Sequence, residues 1–404
     1  MSRGSLRVTL RGLPRPVWVL CAGTFVNRFG SFVLVFLVLY VKHLGYSTAA
    51  AGLAASSYGA GSILSSLVGG WFADRLGRRS SLALSMFSSS AAMLALSQAR
   101  PLVAILAFSV IVGFTTELYR PASAALLADL VTPEQRVAAF GLLRFAINLG
   151  YAAGPVVAGL LAQRSFLLLF LGDAATSVAF GVLALVALPQ GMRVEAHLEV
   201  RSEAVRAIAH DRRFLLFLGA SVLGSFVYFQ AQTTFALQVV AYGHCAVVYG
   251  ALLAVNGVAI VLLELPVISV TQRLPRVHVL AAGLLLEGIG FGLTPLSGAT
   301  AWLAFTVVVW TFGEMVFSPV ASAYVADLSP ERLRGRYNGA WGFTWGIGLV
   351  LAPSLGALIY STRHTLLWLV CLGCGLVAAT LVLASERLEP HSNKQGDRPL
   401  VARL

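Results

Sequence analysis

Long apolar runs separated by short polar loops set the organisation of this chain. Each run is long enough to cross a bilayer as an α-helix, which needs about 20 mostly apolar residues. Because a backbone in lipid must satisfy its own hydrogen bonds, each run predicts a transmembrane helix. We number the runs spans 1 to 12 and place them at residues 17–41, 48–70, 80–98, 102–127, 138–162, 165–188, 214–241, 246–270, 279–297, 301–325, 338–360 and 365–385. The pattern predicts an all-α membrane protein with 12 transmembrane helices.

The two halves of the chain repeat one pattern at an offset of 198 residues. ADLVTPEQR at 128–136 is echoed by ADLSPERLR at 326–334, and glycines and prolines recur at the same offset. Since each half has an even number of spans, both enter the membrane from the same side, as the parallel repeats of some secondary transporters do. The sequence predicts an N-terminal tail at 1–16, a six-helix bundle at 17–188, a linker at 189–213, a second six-helix bundle at 214–385 and a tail at 386–404.

The distribution of charge adds an orientation to this picture. Hydrophobic residues make up 58% of the chain and charged residues 11%, whereas soluble domains have about 25% charged residues. Most of the 29 lysines and arginines lie in the tails and in the alternate loops on the same side as the tails. The positive-inside rule then predicts that both termini lie on the cytoplasmic side of the membrane. We expect this membrane to be a bacterial inner membrane. The net charge of +12 therefore reflects topology and indicates no nucleic-acid partner.

Charge is concentrated in the loop between spans 2 and 3, GGWFADRLGRR at 69–79. This loop resembles the G-x-x-x-D-R-x-G-R-R/K signature of the major facilitator superfamily. The matching residues are Gly70, Asp74, Arg75, Gly77, Arg78 and Arg79. We expect Gly70 to allow close helix approach, Gly77 to allow a tight turn and Asp129 to pair with the arginines. The resemblance implies a latch that holds the two halves in one orientation. The second copy has Gln272 in place of Asp74 and keeps Arg273 and Arg276, which predicts an asymmetric latch.

Span 5 carries a second motif, GLLRFAINLGYAAGPVVAG from residue 141. It resembles the G-x8-G-x3-G-P-x2-G-G motif of drug–proton antiporters, with Ala158 in place of one closing glycine. The matching residues are Gly141, Gly150, Gly154, Pro155 and Gly159. Small residues at this spacing favour close helix packing. The R-x-x-x-G motif usual in span 4 of such exporters is incomplete, because Ser109 stands where the arginine is expected.

Ionisable residues inside the spans are costly and by default indicate function. We predict Glu117, Glu314 and Arg28 as the proton-coupling residues, with Glu117 as proton carrier and Arg28 as its partner. A purely structural Arg28–Glu117 pair remains the alternative. The resemblance implies a central cavity lined by spans 1, 4, 7 and 10. We predict that its polar lining includes Asn27, Arg120, Asn148, Tyr228, Gln230 and Gln232.

Other ionisable residues receive weaker assignments from their positions. Arg144, Glu264 and Asp173 lie nearer the predicted span ends, where long side chains can reach the interface. Glu287 lies in a span that the resemblance makes peripheral, and we expect it to be structural. Cys371 and Cys374 form a C-x-x-C inside an apolar helix with no second ligand pair, so we expect packing and no metal site.

These patterns predict a secondary active transporter that works by alternating access. The leading hypothesis is proton-coupled export of small amphiphilic molecules by a monomer, with the proton gradient as energy source and no cofactor. The alternative is proton-coupled import of a small polar solute such as a peptide, although the E-x-x-E-R motif of peptide importers is reduced to Thr24, Asn27 and Arg28. A non-transporting receptor is a third possibility. The absence of a GxxxxGK loop argues strongly against an ATP-driven pump, and the histidines lie outside the spans or at their ends, which argues against an enzyme.

Overall fold

The computed structural model describes residues 12–132, 135–190, 201–330 and 333–388. These residues form helices and short connections without a β-strand. Parts of the predicted tails and of the linker, namely 1–11, 191–200 and 389–404, lie outside the described residues. A short helix, Arg201–His210, precedes the second half. The all-α prediction is confirmed.

Twelve spans follow one another in the predicted order. Their bounds are Arg15–Phe29 with Phe32–His43 (span 1), Thr48–Leu76 (2), Arg78–Gln98 (3), Leu102–Glu117 with Tyr119–Leu130 (4), Arg136–Arg164 (5), Phe166–Ala187 (6), Arg212–Tyr228 with the 3-10 turn Phe229–Gln232 and Thr234–Ala241 (7), Ala246–Thr271 (8), Arg276–Gly292 with the 3-10 turn Thr294–Leu296 (9), Thr300–Leu328 (10), Arg334–Thr362 (11) and His364–Glu386 (12). Eleven are long and apolar enough to cross a membrane among the described residues. The remaining one, span 2, is rich in alanine, glycine and serine, which lowers its hydropathy.

Three spans that the sequence predicts as continuous are broken. Span 1 breaks at Gly30 and Ser31, and span 4 breaks at Leu118. Proline at 121 has no N–H to donate to the carbonyl four residues earlier, which explains the break in span 4. Span 7 narrows to a 3-10 turn at Phe229–Gln232. Hydropathy averaged over a whole span does not detect these breaks, because each span as a whole is apolar enough to cross a membrane.

Helix packing follows the same scheme in both halves. In the first half span 2 packs on span 4, span 3 on span 6, and span 1 on spans 5 and 6. In the second half the equivalent pairs form: span 8 on span 10, span 9 on span 12, and span 7 on spans 11 and 12. The turns repeat as well, since Gly45 and Gly243, 198 residues apart, have φ angles of 89° and 85°. The fold is thus two parallel six-helix repeats, as predicted.

The two halves meet through spans 2 and 11 and through spans 5 and 8. We call the end carrying Gly45 and Gly243 the closed face, and the end carrying Gly77 the open face. Toward the closed face one apolar core runs through both halves, from Phe36 of span 1 to Tyr249 of span 8. Toward the open face the core separates into two clusters, one in each half. The structure is therefore closed at one face only.

Glycines at the two faces show the same difference. A Cβ at Gly250 would lie 2.1 Å from the carbonyl oxygen of Pro155, and one at Gly52 would lie 2.3 Å from that of Pro353. Both pairs join the two halves and are equivalent at the 198-residue offset. At the open face, a Cβ at Gly70, Gly141, Gly335, Gly339 or Gly342 would meet nothing within 4 Å. The backbones of the two halves are thus in contact only toward the closed face at these positions.

Candidate functional site

A cavity of about 520 Å³ lies between the halves. Its wall is formed by eight spans, namely 1, 2, 4, 5, 7, 8, 10 and 11. The resemblance implied only four of these, spans 1, 4, 7 and 10. The predicted site residues that line it are Glu117, Arg120, Asn148, Pro155, Tyr228, Gln232 and Glu314. A volume of this size is typical of small-molecule pockets.

Arg28 is buried behind the cavity wall at the centre of a polar cluster. Its Nε and Nη2 donate to the hydroxyl oxygen of Tyr119 at 3.0 and 2.6 Å, and its Nη1 donates to that of Tyr151 at 3.0 Å. Nη1 lies 3.6 Å from Oε1 of Glu117. The guanidinium can make these contacts because its donors form a rigid planar fork. The predicted proximity of Arg28 and Glu117 is confirmed.

Glu117 links this buried cluster to the cavity. It ends the first helix of span 4, and its Oε2 forms an ion pair with Nε of Arg120 across the break. The hydroxyl of Tyr58, on span 2, lies 3.5 Å from Oε1. The Glu117 side chain is 8% exposed, whereas that of Arg120 is 60% exposed toward the cavity. Arg120 therefore presents positive charge to a solute while Glu117 lies beneath it.

Glu314 lines the cavity from the second half. Its Oε2 accepts a hydrogen bond of 3.0 Å from Nδ2 of Asn256, which also donates to Oγ1 of Thr311. Span 8 therefore supports Glu314 of span 10 in the way that span 2 supports Glu117 of span 4. Asn256 is 198 residues after Tyr58, so the repeat offset is the signal that could have identified this pair.

Aromatic rings cover part of the wall near Glu314. The rings of Tyr228 and Trp345 are 5.1 Å apart, and Phe229 packs against both. Edge-to-face arrangements of this kind stabilise one another beyond the apolar area that they bury. The cavity thus combines an aromatic surface with an acidic group.

Arg144 and Glu264 form an ion pair that bridges spans 5 and 8. Asn148 Nδ2 lies 3.5 Å from the second carboxylate oxygen of Glu264. Each of these charges finds its partner in the other half, an arrangement that their positions near the span ends left undecided. Residue-by-residue hydropathy gives no signal for such a pair.

Two residues predicted for the cavity belong elsewhere. Asn27 is 1% exposed and its Nδ2 contacts Ser177 Oγ and Met86 Sδ. Gln230 is fully buried, and its Nε2 donates to the carbonyl oxygens of Phe226 and Ala352. The Asn27 side chain joins span 1 to spans 3 and 6, and that of Gln230 bonds backbone carbonyl groups beside the 3-10 turn of span 7. Neither residue lines the cavity in this structure, so the prediction that they form part of its polar lining is corrected.

The charge cluster between spans 2 and 3 folds around Arg78. Its Nε donates to Oδ2 of Asp129 at 2.6 Å, and its Nη1 lies 3.4 Å from Oδ1 of Asp74. Arg75 stacks over the ring of Trp71, and Arg79 donates to the carbonyl oxygen of Leu188. Gly77 has a φ angle of 88°, as the predicted tight turn requires. These contacts join spans 2, 3, 4 and 6 within one half.

The second half has an equivalent ion pair, Arg276 with Asp327, at the 198-residue offset. This ion pair is present although the residue at the position equivalent to Asp74 is Gln272. The predicted asymmetry therefore lies in burial: the side chain of Arg78 is 7% exposed and that of Arg276 is 45% exposed.

This difference predicts unequal effects for two matched substitutions. Asp129→Asn leaves a nearly buried guanidinium without its closest anion, which is strongly destabilising, whereas exposed ion pairs contribute little. We expect Asp129→Asn to lower the yield of folded protein and the transport rate several-fold, and Asp327→Asn to leave both near wild type. The two effects are measured as the amount of each variant that stays folded in detergent and as the transport rate per molecule of purified protein. Equal losses in the two variants would contradict the burial argument.

The glycine predictions are correct in part. A Cβ at Gly150 or Gly154 would lie within 3 Å of Arg28 or Phe29 atoms, and Gly159 contacts Val247 of span 8. Gly150 and Gly154 let span 1 approach span 5 at the level of Arg28, whereas Gly159 lets span 8 approach span 5. Gly70 and Gly141 make no such close contact. At the first position the approach is made by the neighbouring Gly69, whose Cβ would lie 3.0 Å from Pro121.

Comparisons with known proteins agree with this architecture. The chain is 26% identical over 81% of its length to a Na(+), Li(+), K(+)/H(+) antiporter of Planococcus maritimus, covering 85% of that protein. It is 23% identical over 83% of its length to multidrug resistance protein 1 of Bacillus subtilis, covering 88% of that protein. A solved POT family transporter in complex with 5-aminolevulinic acid superposes with a TM-score of 0.77 at 16% identity, covering 93% of this chain and 96% of that one.

The family profile of the Major Facilitator Superfamily matches residues 20–246 and 233–403, which is almost the whole chain. The loop signature, the two six-helix repeats and the central cavity are consistent with this match. The chain belongs to the Major Facilitator Superfamily and is an integral membrane transporter of that type.

Proposed function

We propose that this transporter couples proton movement to the export of small amphiphilic molecules by alternating access. One observation carries the proposal: two carboxylates, Glu117 and Glu314, line one cavity from nearly equivalent positions in the two repeats. Each is supported by a neutral donor on the neighbouring span, Tyr58 or Asn256. Ionisable groups in such positions mark proton pathways in membrane transporters.

In this proposal Glu117 carries the proton. As a carboxylate it holds Arg120 at the cavity wall and lies against Arg28. When it takes a proton, the cluster of Glu117, Arg28 and Arg120 gains one positive charge, so a cationic solute is bound less well beside Arg120. Proton binding and substrate binding then compete through one charge cluster, which is the coupling that an antiporter requires.

The chemistry of the cavity supports an amphiphilic substrate. Tyr228, Phe229 and Trp345 provide an aromatic surface close to the carboxyl group of Glu314, and such surfaces attract organic cations. The similarity to a multidrug resistance protein and to a cation/proton antiporter supports export in exchange for protons. We place the protein in a bacterial inner membrane as a monomer, with both termini and the open face in the cytoplasm.

Import of a small polar solute such as a peptide is the second candidate. Arg120 and Glu314 offer opposite charges on the two halves of the cavity, which suits a solute with separated positive and negative groups. Substrate preference separates the two candidates: an exporter of amphiphiles prefers cationic aromatic compounds, whereas an importer of this kind prefers zwitterions. A receptor without transport activity would move neither class.

The test is accumulation of fluorescent cationic and neutral compounds in bacterial cells that lack their own exporters. We expect cells with the wild-type protein to accumulate less of at least one cationic compound, and a protonophore to abolish the difference. Glu314→Gln removes the acid beside the aromatic surface, so we expect export of cations to fall about ten-fold while export of neutral compounds persists. Glu386→Gln, an exposed acid at the end of span 12, is the matched control.

Two results would count against export. Equal accumulation of every compound with and without the protein would exclude broad export and would direct the test to uptake of labelled peptides. Export that persists with the protonophore would exclude proton coupling.

A further inference from the structure

The ion pair of Arg144 with Glu264 has no part in the proposed proton pathway. It lies about two helical turns from the open-face ends of spans 5 and 8. Asn148 Nδ2 lies 3.5 Å from the other carboxylate oxygen of Glu264, whose side chain is 15% exposed. The other ion pairs described above each lie within one half. The Arg144–Glu264 pair instead joins the two halves near the open face.

The matching positions on the opposite edge of the molecule hold a glycine and a serine, which cannot form an ion pair. The 198-residue offset relates Arg144 to Gly342 of span 11. It relates Glu264 to Ser66 of span 2. A Cβ at Gly342 would meet nothing within 4 Å, and the Ser66 hydroxyl donates to a carbonyl oxygen of its own helix at 2.7 Å. The repeat therefore places an ion pair at one edge of the open face and open space at the other.

The cavity wall shows the same difference between the two edges. Between spans 2 and 11 the cavity is lined as far as Ser66 and Gly342. Between spans 5 and 8 its lining residues nearest the open face are Asn148 and Ile260, so the wall ends before the ion pair. The cavity therefore extends toward the open face along spans 2 and 11, whereas the ion pair closes it along spans 5 and 8.

Spans 5 and 8 are in contact from the closed face to this ion pair. Near the closed face, a Cβ at Gly159 would lie 2.8 Å from the Cα of Val247. Halfway along, a Cβ at Gly257 would overlap the Cα of Ala152. By the level of Gly342, span 11 faces open space instead. The halves are thus joined along one edge and separated at the open-face end of the other.

Breaking the ion pair during the transport cycle would be costly. A carboxylate such as Glu264 that loses its cation inside the membrane keeps the cost of desolvation without the compensating attraction. In this structure the halves are separated at the open face, and the pair is still formed. When that face closes, the halves approach each other there, so closure brings no force that would separate the two side chains.

We propose that Arg144 and Glu264 are positioning residues that stay paired through the transport cycle and make spans 5 and 8 the hinge edge between the halves. Spans 2 and 11 then form the moving edge, where the open face opens and closes. When the closed face opens, spans 5 and 8 part near Gly250 and stay joined at the ion pair. The inference rests on the alternating access in the proposed function, and it gives the pair no contact with solute or proton.

The experiment links each edge covalently and measures transport. The parent is the full-length protein in which the exposed Cys245 is replaced by serine. Arg144→Cys with Glu264→Cys serves the hinge edge, and Ser66→Cys with Gly342→Cys, at the equivalent positions, serves the moving edge. A reversible bifunctional methanethiosulfonate reagent joins each pair, and loss of the thiols that react with maleimide measures the extent of linking. Efflux of a fluorescent cationic dye is measured in proteoliposomes with an imposed pH gradient.

The two links are expected to have opposite effects. Replacing the ion pair by two thiols frees the hinge edge and should lower the rate several-fold, and the link should then restore most of the rate. The link at the moving edge prevents that edge from opening and closing and should lower the rate at least ten-fold, because the cycle cannot pass that step. A reducing agent should reverse both changes. Single-cysteine variants are the controls and should not respond to the reagent.

A second hinge-edge link leaves the ion pair in place. Gly141→Cys with Ile268→Cys lies about one turn closer to the open face on the same two spans. A Cβ at Gly141 would meet nothing within 4 Å, so the cysteine there causes no clash. We expect its link to leave the rate within a few-fold of the unlinked variant. This pair tests the hinge even if the variants of Arg144 and Glu264 fail to fold.

A charge exchange tests the same role without a covalent link. Arg144→Gln or Glu264→Gln alone should lower the rate several-fold. Arg144→Glu combined with Glu264→Arg forms an ion pair of opposite polarity and should recover the rate to within a few-fold of wild type. A residue needed for its charge toward solute or proton would not be rescued in this way.

The outcomes separate this inference from the function on which it rests. A parent that moves no dye overturns the proposed function, and the inference with it. If the parent transports dye, a link at the hinge edge that stops transport, or a link at the moving edge that leaves it unchanged, overturns the hinge alone. A folded charge-exchange variant that stays at the rate of the single variants overturns the role of the ion pair.

Discussion

Glu117→Gln is expected to abolish proton-driven transport while leaving substrate exchange across the membrane intact. The amide is nearly the same size as the carboxyl group and can still accept a hydrogen bond from Tyr58, so the cavity keeps its shape. It cannot carry a proton, and it leaves Arg28 and Arg120 without the anion that contacts both. Efflux driven by an imposed pH gradient should therefore fall to the background level of empty liposomes.

Exchange of labelled for unlabelled substrate needs no net proton movement and is the decisive comparison. We expect exchange by Glu117→Gln to stay within a few-fold of wild type in proteoliposomes. Glu386→Gln, at an exposed end of span 12, should change neither measurement. If Glu117→Gln kept gradient-driven efflux, Glu117 would be a structural partner of Arg28 and Glu314 would become the candidate carrier. If exchange and efflux were lost together, the variant would have lost substrate binding or its fold.

Gly250→Val is expected to stop transport by preventing the closed face from forming. Any Cβ at this position would lie 2.1 Å from the backbone carbonyl oxygen of Pro155 in the other half. Backbone atoms cannot move aside as a flexible side chain can, so the two spans must separate. The transporter should then remain open at that face, and the cycle should be interrupted with at least a ten-fold loss of rate.

A buried reporter detects this change directly. Phe36 of span 1 is fully buried against Tyr249 of span 8, with ring centroids 5.3 Å apart. Phe36→Cys should react slowly with a water-soluble maleimide in the parent and much faster once Gly250→Val is added. Cys245 must first be replaced by serine, because its thiol is exposed and backbone hydrogen bonds, chiefly from Val248, lower its pKa.

Gly373→Val provides the matched control for the glycine substitution. A Cβ at Gly373, in span 12, would meet nothing within 4 Å. We expect transport and labelling of this variant to match the parent. Slow labelling of Phe36→Cys in the Gly250→Val background, with transport preserved, would mean that the closed face still forms around the added side chain, which contradicts the prediction.

Much of the fold follows from local sequence features. Twelve apolar runs, the 198-residue repeat and the loop at 69–79 predicted the spans, their parallel arrangement and the family. The pairing of Arg78 with Asp129 and of Arg28 with Glu117 also followed, because charges in an apolar environment require partners nearby. Span boundaries were accurate to within three residues, except that spans 2 and 11 extend six and four residues further toward the open face.

The composition of the cavity wall was predicted less well. Asn27 and Gln230 are polar residues in cavity-forming spans, but Asn27 faces Ser177 of span 6 and Gln230 faces backbone carbonyl groups of spans 7 and 11. Asn256 and Trp345 line the cavity and were not predicted. In a membrane the lipid-facing and protein-facing sides of a helix are both apolar, so hydropathy does not indicate how a helix is rotated.

The sequence by itself determined how many times this chain crosses the membrane, how its halves are related and which loop carries the family signature. These properties depend on the length and composition of single segments. Only the tertiary structure decided which face is closed, that Arg144 pairs with Glu264 across the halves, and that Asp173 reaches the break in span 1. Those properties depend on the rotation and tilt of helices far apart in the chain, which no local pattern of residues encodes.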